Sequence, residues 1–396
     1  MTSLSCSNAT GSLLATLFND WPPENLLQIS TIIPEDEITS SYTQYFRPKS
    51  GSNIPPPLGA IFHRTKFADL YCLNWKNLLN TVRQFEPDLL YTRIVGHPLF
   101  FTDIGCKLAR NLKLPMACHI MDDYERLFAA SPNPFERYIV KPIFAHRLRE
   151  ILNLSNLNFA ISSKMAKAFS KRYKSHFISL HNGIDPSLWS SSKTKKTNTN
   201  IDRNIFRIVL AGSLAQEKEG AVAWPLAQAV NSLNSQGEDQ YELVLNVQDC
   251  YLSFARRIAG KYEGIKVQGY LPTQAYRHLL QQTDLLVLAR NFDKKSKAYT
   301  EYSFQNKLPE YMVSGTPILC IGPSWENSVQ FLQNHSAGKV VTDANPEKIG
   351  AAIKELNSNA QKGRQYAEHA RQIALSEFDI HRIRNNFIDH MCKLTT

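Results

Sequence analysis

The residues in this sequence best placed for chemistry cluster where apolar runs give way to turns, the edge at which open parallel sheets hold ligands. The fullest set is Ser303-Phe304-Gln305-Asn306-Lys307-Leu308-Pro309-Glu310, followed by Tyr311–Ser314, Gly315 and an apolar run to residue 321. This spacing predicts a loop, a short helix, a glycine stop and a buried strand. Amides at a helix start suit a phosphate, with Lys307 beside them. One turn on, the Glu310 carboxylate could accept both hydroxyls of a ribose. The same residues also fit a plainer arrangement, with Gly315 as helix cap and Glu310 as a solvated charge.

Gly212-Ser213-Leu-Ala-Gln-Glu-Lys218 forms a second strand-to-helix turn. Lys218 would serve there as a point charge for a diphosphate, or as an ordinary solvated lysine. A third group, Cys118-His119-Ile-Met-Asp122-Asp123, also ends an apolar run. His119 with Asp122 and Asp123 reads either as a functional set or as a structural histidine beside two turn residues. A metal is not expected, because no second ligand cluster accompanies them. His181-Asn-Gly183-Ile-Asp185 reads first as a tight turn leaving a domain.

Strands and helices must alternate to position these groups. Strands are expected at 26–33, 89–95, 116–121, 159–162 and 177–181 in the first half. In the second half they are expected at 206–211, 242–247, 265–268, 284–289, 317–321 and 339–342. Helical periodicity fills intervals such as 101–112, 221–233 and 306–314. The alternation predicts α/β architecture with parallel sheets covered on both faces. Its length predicts two doubly wound domains. The segment 190–204, SSSKTKKTNTNIDRN, has the composition of a linker. The expected division is therefore 1–189, linker 190–204 and 205–377. An amphipathic helix within 378–396 carries Ile380, Ile383, Phe387 and Ile388 on one side and is expected to return to the first domain.

The opening is unusual. Met1–Cys6 is too short and polar for a normal first strand, and Gly11-Ser12 arrives as a loop ahead of a helix from Leu14. Either the first strand is very short or the chain starts late.

Composition narrows the classes. Hydrophobic residues are 43% and charged residues 20%, a globular balance that argues against disorder. No run approaches the ~20 apolar residues of a membrane span, and the start is not a secretory signal. Seven dispersed cysteines read as reduced thiols of a cytoplasmic protein. Forty-five Lys and Arg against 35 Asp and Glu give +10, which favours an anionic partner. Nucleic acid is not expected, since no recognition motif appears. The basic run 164–174, KMAKAFSKRYK, offers a solvated face or contact with an anionic membrane surface.

Taken in order, these pieces resemble the retaining nucleotide-sugar glycosyltransferases of the GT-B fold, the group 1-like family 4 enzymes. His181–Asp185 with Trp189 is similar to the family's Asn-Gly-Val-Asp segment. Gly212 to Lys218 resembles its glycine-to-lysine turn. Lys307–Met312 with Gly315-Thr-Pro317 resembles its nucleotide-binding helix, and 283–288 the preceding strand. Gly11-Ser12, Leu17-Phe18, Trp21-Pro22, and His119 with Asp122-Asp123 resemble the first loop and a strand end of a bacterial subgroup.

The resemblance implies two Rossmann-like domains facing a cleft, with a nucleotide-sugar donor between them. Glu310 would hold the ribose and Lys218 the diphosphate. Backbone around Ser303, Phe304, Gln305 and Asn306 would meet phosphate or sugar, and His119 would face the donor sugar. The acceptor would be a glycan, a lipid-linked sugar or a small molecule, met in the cytoplasm or at the inner membrane face. The family's reaction is described as front-face substitution, with the leaving phosphate assisting deprotonation of the acceptor. It needs no metal and no cofactor, because lysine and amides can neutralise the leaving diphosphate. Two departures stand out. Ser213 sits where the family commonly has a basic residue, and Tyr302 takes the first place of its glutamate pair. They admit a second reading, a catalytically silent GT-B paralogue that binds or scaffolds.

Overall fold

The computed structural model describes residues 9–29, 75–96, 100–192, 205–214, 220–237 and 239–395. The chain divides into two compact units, residues 1–183 with 380–396, and 184–379.

The first unit opens with helix α1, Ala9–Leu17, which buries Leu13, Leu14 and Leu17. Gly11 and Ser12 therefore lie inside a helix, not in the loop expected from their sequence, because three leucines spaced for one face extend it backwards. Residues 26–29 run as irregular chain, not strand, with Leu27 and Ile29 packed on the cluster of Leu78, Val82, Ile104 and Leu108. The rest of the expected strand, residues 30–33, and Met1–Cys6 lie outside the described residues.

Then follow α2 (Trp75–Phe85), β1 (Leu90–Ile94), α3 (Phe100–Leu112), β2 (Met116–Ile120) and α4 (Tyr124–Ala130). After a π turn at Glu136–Val140 come α5 (Lys141–Leu154), β3 (Leu157–Ala160), α6 (Ser163–Tyr173) and β4 (Ile178–Ser179). The four strands form one parallel sheet in the order β1-β2-β3-β4. Strands β2 and β3 are buried along their whole length, as parallel strands covered on both faces must be.

The second unit starts within the turn that was expected to precede the linker. Ile184 and Trp189 belong to its core, so the break falls at 183/184, ahead of 190–204, most of which lies outside the described residues. Its elements are β5 (Ile205–Gly212), α7 (Ala221–Gln236), β6 (Gln240–Val247), α8 (Leu252–Ala259), β7 (Ile265–Gln268) and α9 (Thr273–Gln282). They continue with β8 (Leu285–Ala289), α10 (Lys297–Thr300), α11 (Leu308–Ser314), β9 (Ile318–Ile321), α12 (Asn327–Asn334) and β10 (Lys339–Val341). Two long helices close the unit, α13 (Pro346–Ser358) and α14 (Ala360–Glu377).

All six strands are parallel, in the order β10-β9-β8-β5-β6-β7. The chain winds outward one way from β5 and the other way from β8. The crevice at their carboxyl ends is a topological switch point, where doubly wound sheets take ligands. Helices α7, α8 and α13 pack on one face, around Leu226, Val230 and Ile353. Helices α11, α12 and α14 pack on the other, around Tyr311, Met312 and Leu332.

The chain then returns to the first unit as α15, Ile380–Cys392. Phe387 on this helix meets the rings of Phe18, Tyr91 and Phe159 edge-on or tilted. Arg384 donates to the Thr16 carbonyl at 2.8 Å and to Asp20 at 2.5 Å. Aromatic area of this kind supplies roughly 1.5–3 kcal/mol per fully buried ring. Among the described residues, no helix is long and apolar enough to cross a membrane.

Candidate active site

The carboxyl end of β5 is built first by its own glycine. Gly212 takes φ of 121°, outside the range comfortable for other residues, and turns the chain off the strand. Two side chains from the start of α11 then fasten this end. Lys307 Nζ donates to the Ala211 carbonyl at 2.6 Å, and the Tyr311 hydroxyl accepts from the Ala211 amide at 3.3 Å. Both reach across from the start of α11, so that segment meets the carboxyl end of β5 at the switch point. Ser213 follows in the same loop, while Lys218 lies outside the described residues.

Helix α11 is short because Gly315, at φ 76°, stops it in the left-handed region. Leu308, Tyr311, Met312 and Val313 are wholly buried, which anchors the helix despite its seven residues. Its start offers fewer amides than the sequence implied. The Leu308 amide is spent on the Gln305 carbonyl, and Pro309 has none. The loop before it is also largely committed. The Gln305 amide donates to Ser328 Oγ at 3.2 Å, and its side-chain amide donates to the Ala289 carbonyl at 3.3 Å. Phe304 stacks on Phe378 within the core. The Gln305 amide is therefore engaged within the protein, and the Phe304 ring packs inward. Both serve to hold the loop.

Glu310 is different. It is half-buried and makes no hydrogen bond to the protein among the described residues. Burial pushes its carboxyl up to about 7, against the pull of Arg277 and Lys307 nearby. Arg277, on α9, also lies over the Trp189 ring at 5.9 Å. The carboxylate thus lies near two cations and has open acceptor positions among the described residues.

Sequence reasoning missed the group that holds the loop in place. Arg290 ends β8, and its Nε donates to Glu326 Oε1 at 3.0 Å. Glu326 is wholly buried, caps α12 by accepting from the Val329 amide at 2.8 Å, and accepts from Ser328 Oγ. Burial raises its carboxyl above the usual range even with Arg290 opposed to it. Ser328 passes this arrangement on to Gln305. The one available signal was an arginine directly after a fully apolar strand at the switch point.

In the first unit three candidates have defined surroundings. His119 is enclosed within β2, not open at its end. The Tyr91 hydroxyl donates to its Nδ1 at 2.7 Å, and burial drives the imidazole down to about 3. It is a neutral residue whose ring meets those of Tyr91 and Phe159 edge-on, with Nε2 buried and unpartnered among the described residues. Asp123 is buried against Arg172, with two hydrogen bonds of 2.9 and 2.8 Å, and caps α4 by accepting from the Arg126 amide. It is a fastening residue. Asp122 is half-buried and accepts from the Tyr124 hydroxyl at 3.3 Å. Each of the three thus turns to its own partner, and among the described residues no three His, Cys, Asp or Glu converge to hold a metal. A cavity of about 690 Å³ beside β1 is lined by Phe18, Trp21 and Tyr91 but by none of the catalytic or donor-binding candidates.

The Tyr91–His119 pair is testable as structure. Tyr91→Phe leaves Nδ1 buried without a donor, so it should cost about 1–3 kcal/mol in urea unfolding. Unchanged stability would show that the imidazole is satisfied elsewhere.

The comparisons agree with this architecture. Residues 242–389 match the sequence family described as Glycosyl transferase-like. HepE of Anabaena, solved with UDP and glucose, superposes with a TM-score of 0.67 at 17% identity, covering 99% of this chain and 98% of its own. A glycosyltransferase from Rickettsia africae gives 0.65 at 12% identity, over 98% and 96%. Sucrose-phosphate synthase of Thermosynechococcus elongatus gives 0.64 at 13%, over 90% and 84%. No curated protein sequence matches the chain significantly. The fold is that of the GT-B glycosyltransferases. The family match, residues 242–389, covers most of the second unit and the start of α15.

Proposed function

We propose that this chain transfers a sugar from a nucleoside-diphosphate sugar to a glycan, lipid-linked or small-molecule acceptor, with retention and without a metal. The observation that carries the proposal is Glu310, a half-buried carboxylate with no hydrogen bond among the described residues, at the switch point of the second unit. It would accept both ribose hydroxyls of the nucleotide. Lys307, fixed on the Ala211 carbonyl, and Arg277 keep that carboxylate ionised when a ligand supplies donors to it. Lys218 remains the proposed cation for the diphosphate, on the resemblance of its turn, with the remaining backbone of Ser213, Ser303 and Asn306 beside it. HepE structures with UDP and with UDP-glucose support a uridine nucleotide as the first donor to try.

The test is a thermal-shift series with UDP-, GDP- and ADP-sugars. A bound donor at ~100 times its dissociation constant stabilises by ~2.7 kcal/mol. No shift with any of them overturns the donor site. Transfer should persist in EDTA, and a loss restored by a divalent ion would refute the metal-free chemistry. Ser213, placed directly after Gly212, favours one other reading, a silent paralogue. Donor binding with neither transfer nor donor hydrolysis would establish it.

A further inference from the structure

Three of the large hydrophobic side chains left exposed by this fold fall within six residues of the first unit. Tyr138 is 69% exposed, Ile139 47% and Ile143 39%. They sit on the π turn and the first turn of α5, with Pro142 also exposed between them. Val140, Phe144 and Leu148 of the same segment are buried, so its inner face already has a core to cover. The outer residues are four apart, 138 with 142 and 139 with 143, and share one side. An apolar group this compact on a polar surface marks a place of contact.

The charges around it are one-sided. Residues 131–149 carry four basic side chains, Arg137, Lys141, Arg147 and Arg149, against Glu136 alone. Arg147 is engaged with Asp103 and Glu150. Arg137 lies against the Tyr138 ring at 5.3 Å, and Arg149 donates to the Ala145 carbonyl of its own helix. Among the described residues, Arg137, Lys141 and Arg149 have no acidic partner. Helix α4 lies against the π turn and α5 on one side. On the other it receives the end of α6, through Arg172 on Asp123 and Tyr173 on Glu125. Helix α6 also carries Lys164, Lys167 and Lys171.

We propose that this face is a docking surface for an anionic lipid bilayer, with Tyr138, Ile139 and Ile143 entering the headgroup boundary and Arg137, Lys141 and Arg149 meeting lipid phosphates. An aromatic and two aliphatic side chains set among unpaired basic groups is the composition that binds such an interface reversibly. Each basic group near the surface adds to the attraction, and salt screens it. The surface goes beyond the donor site and does not depend on it. It would bring the protein to a layer where lipid-linked acceptors reside.

Flotation of the full chain with vesicles tests this. Vesicles of phosphatidylcholine alone would be compared with vesicles containing about 30% phosphatidylglycerol. Wild type should partition at least about tenfold more strongly to the anionic vesicles and lose this preference near 0.5 M salt. Ile139→Asp with Ile143→Asp should reduce partition by about tenfold or more, and Lys141→Glu with Arg149→Glu should remove the lipid preference. All of these side chains are at least partly exposed, so thermal unfolding should stay at the wild-type temperature. Tyr138→Ser provides a milder second variant. Wild type that ignores anionic vesicles, or apolar variants that float as well as wild type, overturn the proposal. So does a wild-type dimer by light scattering that the Asp pair dissolves, since a second copy would then own the face. UDP-sugar thermal shifts on the same variants should remain unchanged, which keeps this surface separable from the donor site.

Discussion

Donor affinity should rise about tenfold between pH 6 and pH 8, following the ionisation of a single carboxyl near 7, and Glu310→Gln should abolish that dependence. A carboxylate accepts two hydroxyls, whereas its protonated form must give up one acceptor position. With the carboxyl near 7, most molecules are protonated at pH 6 and most ionised at pH 8. Glu310→Gln keeps the shape and loses the charge. Charge-assisted hydrogen bonds contribute about 1.5–3 kcal/mol, so affinity at pH 8 should fall by one to two orders of magnitude. Calorimetric titration of UDP or a UDP-sugar at three pH values measures both effects. A flat wild-type profile, or a variant that binds as tightly as wild type, refutes the ribose assignment.

The same residue makes an opposite prediction for folding. Its carboxyl is raised in the folded chain above the ordinary value of 4.5. The folded state therefore holds this proton more tightly, and the stability it gains below 4.5 is lost as pH rises through 7. Glu310→Gln should stabilise the free protein at pH 8 by on the order of 1–3 kcal/mol while weakening the donor. Few structural residues show that opposition. A site that sacrifices stability for binding does. Lys307→Met adds a check from the other side, since removing a neighbouring cation should move the carboxyl, and the affinity midpoint, to higher pH.

What the sequence made legible follows from range. Strands such as 265–268 and 317–321, and the helix ending at Gly315, are local patterns of apolar residues and glycine. Their positions in the second unit match because nothing distant needed to be known. Lys307 and Glu310 stand out in the sequence for the same reason, lying three residues apart at the start of one short helix. His119 and Asp123 were not. What decides their roles is Tyr91, 28 residues away, and Arg172, 49 residues away. A histidine that completes an internal hydrogen bond and one that faces a ligand have the same neighbours in sequence. Gly11 and Ser12 went the other way. Their loop-like composition was overridden by the burial of Leu13, Leu14 and Leu17, an instance of packing outweighing local preference.

The largest stability effect should come from Glu326, which no local pattern announces. Its carboxylate is wholly buried and serves Arg290, Ser328 and the Val329 amide together. Glu326→Ala leaves the Arg290 guanidinium in the interior without a counter-charge, and removes the cap of α12. Breaking a buried pair from one side typically costs 3–5 kcal/mol, with a lost cap adding about 1. Arg290→Met should cost a comparable amount. The double variant Arg290→Met with Glu326→Ala should cost clearly less than the sum, because neither charge is then stranded. Urea unfolding of the four proteins completes the cycle, and additive losses would show that the two residues do not act as a pair. The functional consequence runs through Ser328, which accepts from the Gln305 amide and so ties the 303–306 loop to the buried pair. Glu326→Gln can retain the cap while losing the charge, and should weaken donor binding more than its stability loss alone would predict. If its affinity for a UDP-sugar stays at the wild-type value while the protein is merely less stable, the pair supports the fold and not the loop.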